Sequence, residues 1–259
     1  MKVLFIGDIV GSPGRDIVKN VLTQLKLENN FDIVIANGEN AAGGNGLTER
    51  AANELFDNGV DFITLGNHAW DKKDILSFID KEERIIRPAN YPPGTPGKGY
   101  RIFTKNGIKL SIVNLQGRIY MQPLECPFRA IDNILLQIAD QSKIIIVDMH
   151  AEATSEKVAL GYYLDGRVSA VLGTHTHIQT ADDKILPQGT GYITDVGMTG
   201  PYESILGVKK ENIIARFLTQ MPNRFEVATG MSQLNAVFIE IDDATGKTVK
   251  IERFQKYCD

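Results

Sequence analysis

Cysteine is nearly absent: Cys126 and Cys258 are the only two in 259 residues, so neither a disulfide framework nor a thiolate metal motif is available. No apolar run approaches the ~20 residues of a membrane span. The apolar core of the opening MKVLFIGDIVG is too short and wrongly flanked for a secretion signal. These absences point to a cytoplasmic, bacterial-type protein with no membrane partner. A formal net charge of −4 leaves no broad basic surface, which argues against duplex DNA. A small anionic substrate and a homo-oligomeric state are both compatible with this balance. Histidine is also scarce. Of the four, His175 and His177 stand two residues apart in VLGTHTHIQT, and the other two are His68 and His150.

The remainder of the composition is that of a globular α/β chain long enough to bury a large core, and we expect a single domain over residues 1–259. KVLFIG (2–7), DIVIAN (32–37) and VDFITLG (60–66) read as buried strands. Helices are expected between them, one from Pro13 to about Leu27 and one capped by Thr48 with Ala51, Leu55 and Phe56 inward. A third helix is expected around Lys72–Ile79. This βαβαβ order implies a largely parallel sheet. RPANYPPGTPGKG (87–99) reads as an ordered loop, and Asn106-Gly107 as the turn of a hairpin spanning 100–105 and 108–115. A loop at 116–127 precedes a helix to about Gln141, a strand at 143–150 and a helix at 155–164. Strands at 167–173, near 180–186, at 190–194, 232–240 and 247–253 complete the chain. The expected fold is a four-layer α/β/β/α sandwich of two mixed sheets flanked by helices.

The polar residues that terminate these strands repeat a theme. The first strand ends at Asp8, the second in Glu39 and Asn40, and the third in Asn67 and His68. Later strands end in Asp148 and His150, and in His175 and His177. Taken singly, each is as well explained as a turn former, cap or satisfied histidine. Together they place every histidine of the chain at the carboxyl end of a strand, where open α/β sheets bind ligands. The His175/His177 pair is expected on extended backbone, where i and i+2 project to one side.

The donor set of carboxylate, amide oxygen and imidazole without thiolate suits Mn, Fe, Zn or Mg over soft metals, and two divalent or mixed-valence ions are expected, Fe or Mn first. Asp8, Glu39, Asn40, Asn67, His150, His175 and His177 are too many for one tetrahedral ion, and Glu39 is the natural bridge. Such a pair lowers the pKa of water and clamps the oxygens of a phosphoryl displacement, so a metal-activated hydroxide attacking phosphorus is the expected chemistry. His68, turned away from the ligands if the chain is extended, is the expected catalytic residue, stabilising the transition state or protonating the leaving oxygen.

In order and spacing, GDIV, NGEN, GNHA, DMH and GTHTH resemble the motifs of the calcineurin-like metallophosphoesterase superfamily. Val10 stands where that superfamily has a histidine, and Ala69 where it has the acid that orients the histidine of GNH. The altered set, with MKVLFIGDIVGSPGR and DVGMTGP (195–201), resembles the YmdB-like branch over the whole chain. That resemblance implies one ion on Asp8, Glu39, Asn40 and His177 and a second on Glu39, Asn67, His150 and His175. It places Asn40 in the role of the missing histidine and leaves Asp148 structural. It also implies hydrolysis of phosphodiesters, particularly 2′,3′-cyclic nucleotides.

Arg118, Tyr120 and Arg129 are further candidates for phosphate or base contact, against a plain solvated loop. The 195–201 segment reads as a glycine-constrained loop, near the metals, at a subunit contact, or equally a plain packed turn. Two rival functions remain at this level. A non-catalytic nucleotide- or RNA-sensing regulator would account for Val10 and Ala69. A metal hydrolase of carboxylic esters or amides has no supporting signature.

Overall fold

A computed structural model describes residues 1–258. Fourteen strands and five α-helices are formed among the described residues, in two sheets. The first half contributes β1 (Lys2–Ile6), β2 (Asp8–Ile9), α1 (Gly11–Asn29), β3 (Ile33–Asn37), α2 (Glu49–Asp57), β4 (Phe62–Thr64) and β5 (Ile85–Ile86). The hairpin β6 (Tyr100–Lys105) and β7 (Ile108–Gln116) follows, then α3 (Pro127–Ile138), β8 (Ile144–His150), α4 (Thr154–Leu164) and β9 (Ala170–Thr174). The chain ends with β10 (Lys184–Ile185), β11 (Gly191–Ile193), β12 (Met198–Pro201), α5 (Lys210–Thr219), β13 (Ser232–Ile241) and β14 (Thr248–Cys258).

The first sheet runs β2–β12–β13–β1–β3–β4–β5, with β14 paired to β13; the second runs β10–β11–β9–β8–β7–β6. β1 is parallel to β3 and antiparallel to β13, while β8 is parallel to both β7 and β9. Both sheets are therefore mixed, and the four-layer sandwich is formed. Side-chain alternation explains the layers. In β1, Val3 and Phe5 enter the layer between the sheets, whereas Leu4 and Ile6 face Val18, Leu22 and Leu55 of α1 and α2. In β8, Ile144 and Ile146 enter the same middle layer, and Ile145, Val147 and Met149 face Ile131, Leu160 and Leu164 of α3 and α4.

Local signals act as anticipated at several points. The Thr48 side chain accepts a hydrogen bond from the Ala51 N–H at 3.3 Å, capping α2. Asn106 and Gly107 both have positive φ, as a tight two-residue hairpin turn requires. Other expectations need correction. The helix expected over 72–79 is only a 3₁₀ turn, Lys73–Ser77, because so short a segment cannot offset the cost of nucleating an α-helix. The strand expected near 180–186 shrinks to Lys184–Ile185. The glycine-rich 195–201 segment is not simply a loop. Its second half is β12, parallel to β2 and antiparallel to β13, so this stretch lies within the first sheet. β5 and α5 were not anticipated.

Candidate metal centre

Five strands of two different sheets deliver the site. Asp8 lies in β2 just beyond β1, Glu39 and Asn40 follow β3, and Asn67 follows β4, all from the first sheet. His150 is the last residue of β8, and His175 and His177 follow β9 of the second sheet. Asp8, Glu39, Asn40 and His150 are buried, while His68 is half-exposed at the rim. The seven residues expected as ligands from the sequence therefore converge on the shared carboxyl edge of the two sheets.

The polar contacts show what the convergence calls for. His150 Nε2 lies 3.0 Å from Glu39 Oε1, Asn67 Oδ1 and His175 Nδ1. On the other side of that ring, Nδ1 meets Thr174 Oγ1 at 2.9 Å, and the Thr174 hydroxyl donates to Asp148 Oδ1 at 2.7 Å. The threonine proton is thus already given away, so the Nδ1–H of His150 donates to it and Nε2 carries a lone pair. His175 Nε2 lies 3.1 Å from Glu152 Oε2, which fixes its proton there and leaves Nδ1 bare. Four lone-pair atoms therefore face one another. One proton on His150 Nε2 would serve only one of the other three, whereas a cation serves all four. Glu39, His150 and His175 form a group whose donor atoms lie within 4.8 Å of one another, as a metal ion requires.

A second pole lies beside it. Asp8 Oδ1 is fully buried without a hydrogen-bond partner, 3.9 Å from His177 Nε2 and 4.0 Å from His150 Nδ1. An orphaned buried carboxylate oxygen is costly and marks a place for a cation. His177 Nδ1 donates to the Leu206 carbonyl at 3.1 Å, so Nε2 is the nitrogen turned inward. Asn40 presents its amide to His177 Nε2 at 3.2 Å and to Glu39 Oε1 at 3.4 Å. Rotating that amide presents its oxygen in the same place. The donor types at both poles suit cations, and Glu39 contacts residues of each.

Titration of the protein groups follows the same logic. Burial raises the Asp8 carboxyl well above its usual range, with the His150 charge only partly opposing it. Burial would raise Glu39 too, but the charge and hydrogen bond of His150 hold it at about 2. Burial lowers His150, yet Glu39, Asp8 and Asp148 lift it to about 9, so a proton competes with a cation for the Nε2 lone pair. His175 is pushed to about 3, first by burial and then by the His150 charge. Positive charge placed among these acids and imidazoles would balance them.

The supporting residues were less visible in the sequence. His175 and His177 do not sit on extended backbone: their φ angles are 104° and 67°, an uncommon region for residues with side chains. The loop is held by Asp195, whose Oδ2 accepts from the Thr176 N–H at 3.0 Å, the Thr176 hydroxyl at 2.8 Å and Lys157 Nζ at 2.7 Å. Both Lys157 and Asp195 are buried. Asn37 accepts from the Glu39 N–H at 3.1 Å and donates to Asp148 at 3.2 Å, steadying two ligand-bearing strand ends. Asp148 accepts from Asn37 and from the Thr174 hydroxyl and is held away from the centre by both. Gly66 is required by close approach, since a Cβ there would run into the His150 ring and Glu39. Asn37, Glu152 and Lys157 gave no signal in the sequence beyond their nearness to motif residues.

His68 donates its backbone N–H to Glu39 Oε2 at 2.8 Å, and its ring opens onto the cleft. Its Nδ1 lies 2.8 Å from Asp71 Oδ2. The orienting acid inferred to be missing at Ala69 is therefore supplied two residues later. Ala69 is buried in the core instead, and Val10 is buried where Gly207 packs so closely that a Cβ there would lie 2.7 Å from Val10 Cγ1. Arg118, Tyr120 and Arg129 take no part in the cleft. The Arg118 and Ile119 N–H groups are bound by Glu156, Arg118 lines a separate groove with Phe128, and Tyr120 and Arg129 project to solvent.

The sandwich is shared with a Staphylococcus aureus structure described as a putative 5′-nucleotidase, at a TM-score of 0.64 and 14% identity over 98% of this chain and 54% of that one; this is a likeness of fold alone. Fold and donor set together define a metallophosphoesterase. A family model described as YmdB-like protein matches residues 4–254, and the chain belongs to that family. It is 56% identical to a 2′,3′-cyclic-nucleotide 2′-phosphodiesterase of Bacillus subtilis over 98% of this chain and 96% of that protein. A Thermus thermophilus crystal structure, described as a hypothetical protein, superposes with a TM-score of 0.94 at 47% identity, covering 99% of both chains. A Mycoplasma pneumoniae structure described as a novel phosphatase superposes at 0.95 with 39% identity, covering 99% of this chain and 93% of that one. No helix among the described residues is long and apolar enough to cross a membrane.

Proposed function

We propose that this chain is a dinuclear metal-dependent phosphodiesterase acting on 2′,3′-cyclic nucleotides. The observation that carries the reading is the meeting of four lone-pair atoms around His150 Nε2 beside the orphaned Asp8 oxygen, at the floor of an open cleft. The 56% identity to a Bacillus subtilis enzyme named for this activity supports the choice of substrate. Asp8, Glu39, Asn40 and His177 would hold one ion, and Glu39, Asn67, His150 and His175 the other, with Fe or Mn the best match to the donors. When bound, the two ions neutralise the phosphoryl oxygens and lower the pKa of water.

The remaining steps belong to the protein's own groups. Only two of the residues that would hold the ions, Asp8 and Glu39, are carboxylates, and the amides are neutral, so these side chains would leave part of the charge of two divalent ions unneutralised for an anionic phosphodiester. Asp71 orients His68 through Nδ1 and stabilises its imidazolium, which protonates the departing 2′ oxygen as its bond to phosphorus breaks. Water supplies the new phosphorus–oxygen bond, and the product is a 3′-phosphomonoester. The presence of Asp71 removes one of the two features that favoured a non-catalytic sensor. The test is the initial rate of 2′,3′-cAMP hydrolysis by metal-stripped protein, before and after adding Mn²⁺ or Fe²⁺. Metal-dependent release of 3′-AMP is expected; no turnover with either ion overturns the reading.

A further inference from the structure

Between β12 and β13 the chain leaves the sheet for an excursion, residues 202–231, that forms one whole wall of the cleft over the metal centre. Its neck is tied by backbone hydrogen bonds from the Tyr202 N–H to Met231 O, the Ala228 N–H to Gly207 O and the Lys209 N–H to Glu226 O, at 2.8, 2.9 and 2.9 Å. The Leu206 carbonyl that accepts from His177 Nδ1 belongs to the same excursion, so this wall is fixed directly to a proposed ligand. The cleft, about 930 Å³ in volume, is floored by Glu39, Asn40, His68, His175 and His177. That volume lies in the range of small-molecule sites.

Helix α5 presents Ile213, Arg216 and Phe217 to this cleft, the i, i+3, i+4 stripe of one helical face, and Gln220 just past its end adds to the same wall. Only Ile213 of the helix is buried, whereas Phe217 is 75% exposed and Phe225, which lines the same cleft, is 50% exposed. The Arg216 guanidinium lies 4.9 Å from the centre of the Phe225 ring. Core packing therefore does not account for the aromatic residues on this face. A polar, cation-seeking floor joined to an apolar, aromatic wall matches a molecule with an anionic group at one end and a flat aromatic group at the other.

We propose that the 202–231 excursion is the nucleobase subsite of the cleft, with the base stacking against Phe217 and Phe225. Resting on the phosphodiesterase reading above, the proposal adds which residues recognise the part of the substrate that does not react. Phe217→Ala and Phe225→Ala should each lower kcat/KM for 2′,3′-cAMP about tenfold through KM with kcat retained, near the lower end of what one base–aromatic stack contributes. Glycerol 1,2-cyclic phosphate, which has the reacting ring but no base, should be hydrolysed equally by wild type and variants. Calorimetric Kd for 3′-AMP on Mn²⁺-loaded protein should rise by the same factor, and Phe217→Trp should restore it. Equal losses on both substrates, unchanged kinetics on the nucleotide, or no wild-type affinity for 3′-AMP overturns the subsite. If wild type turns over neither substrate, the phosphodiesterase reading fails, while 3′-AMP binding still decides this one.

Discussion

At the scale of single residues, the roles divide by which atom of each side chain is already committed. His150, His175 and His177 each have one ring nitrogen bound to a protein acceptor and the other turned toward the centre. His68 differs, for its only side-chain partner is Asp71 at the rim. His68→Ala should therefore reduce turnover roughly 10²- to 10⁴-fold, the usual contribution of a general acid, with metal content unchanged. Loss of metal in that variant would make His68 a ligand and remove it from the proton transfer. Asp71→Asn should cause a smaller loss, because the ring stays in place while its charged form loses a stabilising carboxylate. The donor residues were legible in the sequence because scarce histidines and strand-end acids share one periodic position. Asp71 was not, since orientation by a residue three places on depends on how the loop turns.

At the scale of elements, the centre depends on two pieces whose nature the sequence disguised. The GTHTH stretch carries His175 and His177, the proposed ligands, on backbone of positive φ, and Asp195 holds that conformation through Thr176. Asp195→Asn would leave Lys157 buried with its charge uncompensated, so a loss of about 3–5 kcal/mol is expected in urea unfolding. Metal affinity should fall with it. A fully stable variant with intact metal binding would show that the loop holds itself. The second piece is the stretch from 195 to 231. Glycine and proline hid β12, whose pairing rests on backbone groups rather than on β-branched side chains. α5 was missed because its apolar face looks into the cleft and solvent rather than into a core, where periodicity is usually read. By contrast β1, β3 and β8 were plain, being short runs buried on both faces.

At the scale of the whole molecule, the site exists only because two sheets end at one edge. Asp8, Glu39, Asn40 and Asn67 come from the first sheet and His150, His175 and His177 from the second. The layer between the sheets, where Phe5 and Ile35 meet Ile112, Ile146 and Leu172, sets their separation. That shared layer supports our proposal that residues 1–259 form one domain. It would also make the proposed metal centre a joint product of both halves of the chain, with Glu39 as the residue proposed to link the two poles.

That link is the centre of the account, and electron paramagnetic resonance of metal-stripped protein titrated with Mn²⁺ examines it most directly. Wild type should bind two equivalents and give the spectrum of an exchange-coupled pair, whereas Glu39→Gln should bind fewer ions and show no coupling. Saturation of wild type at one equivalent, or the six-line spectrum of isolated ions at two, would contradict the dinuclear site.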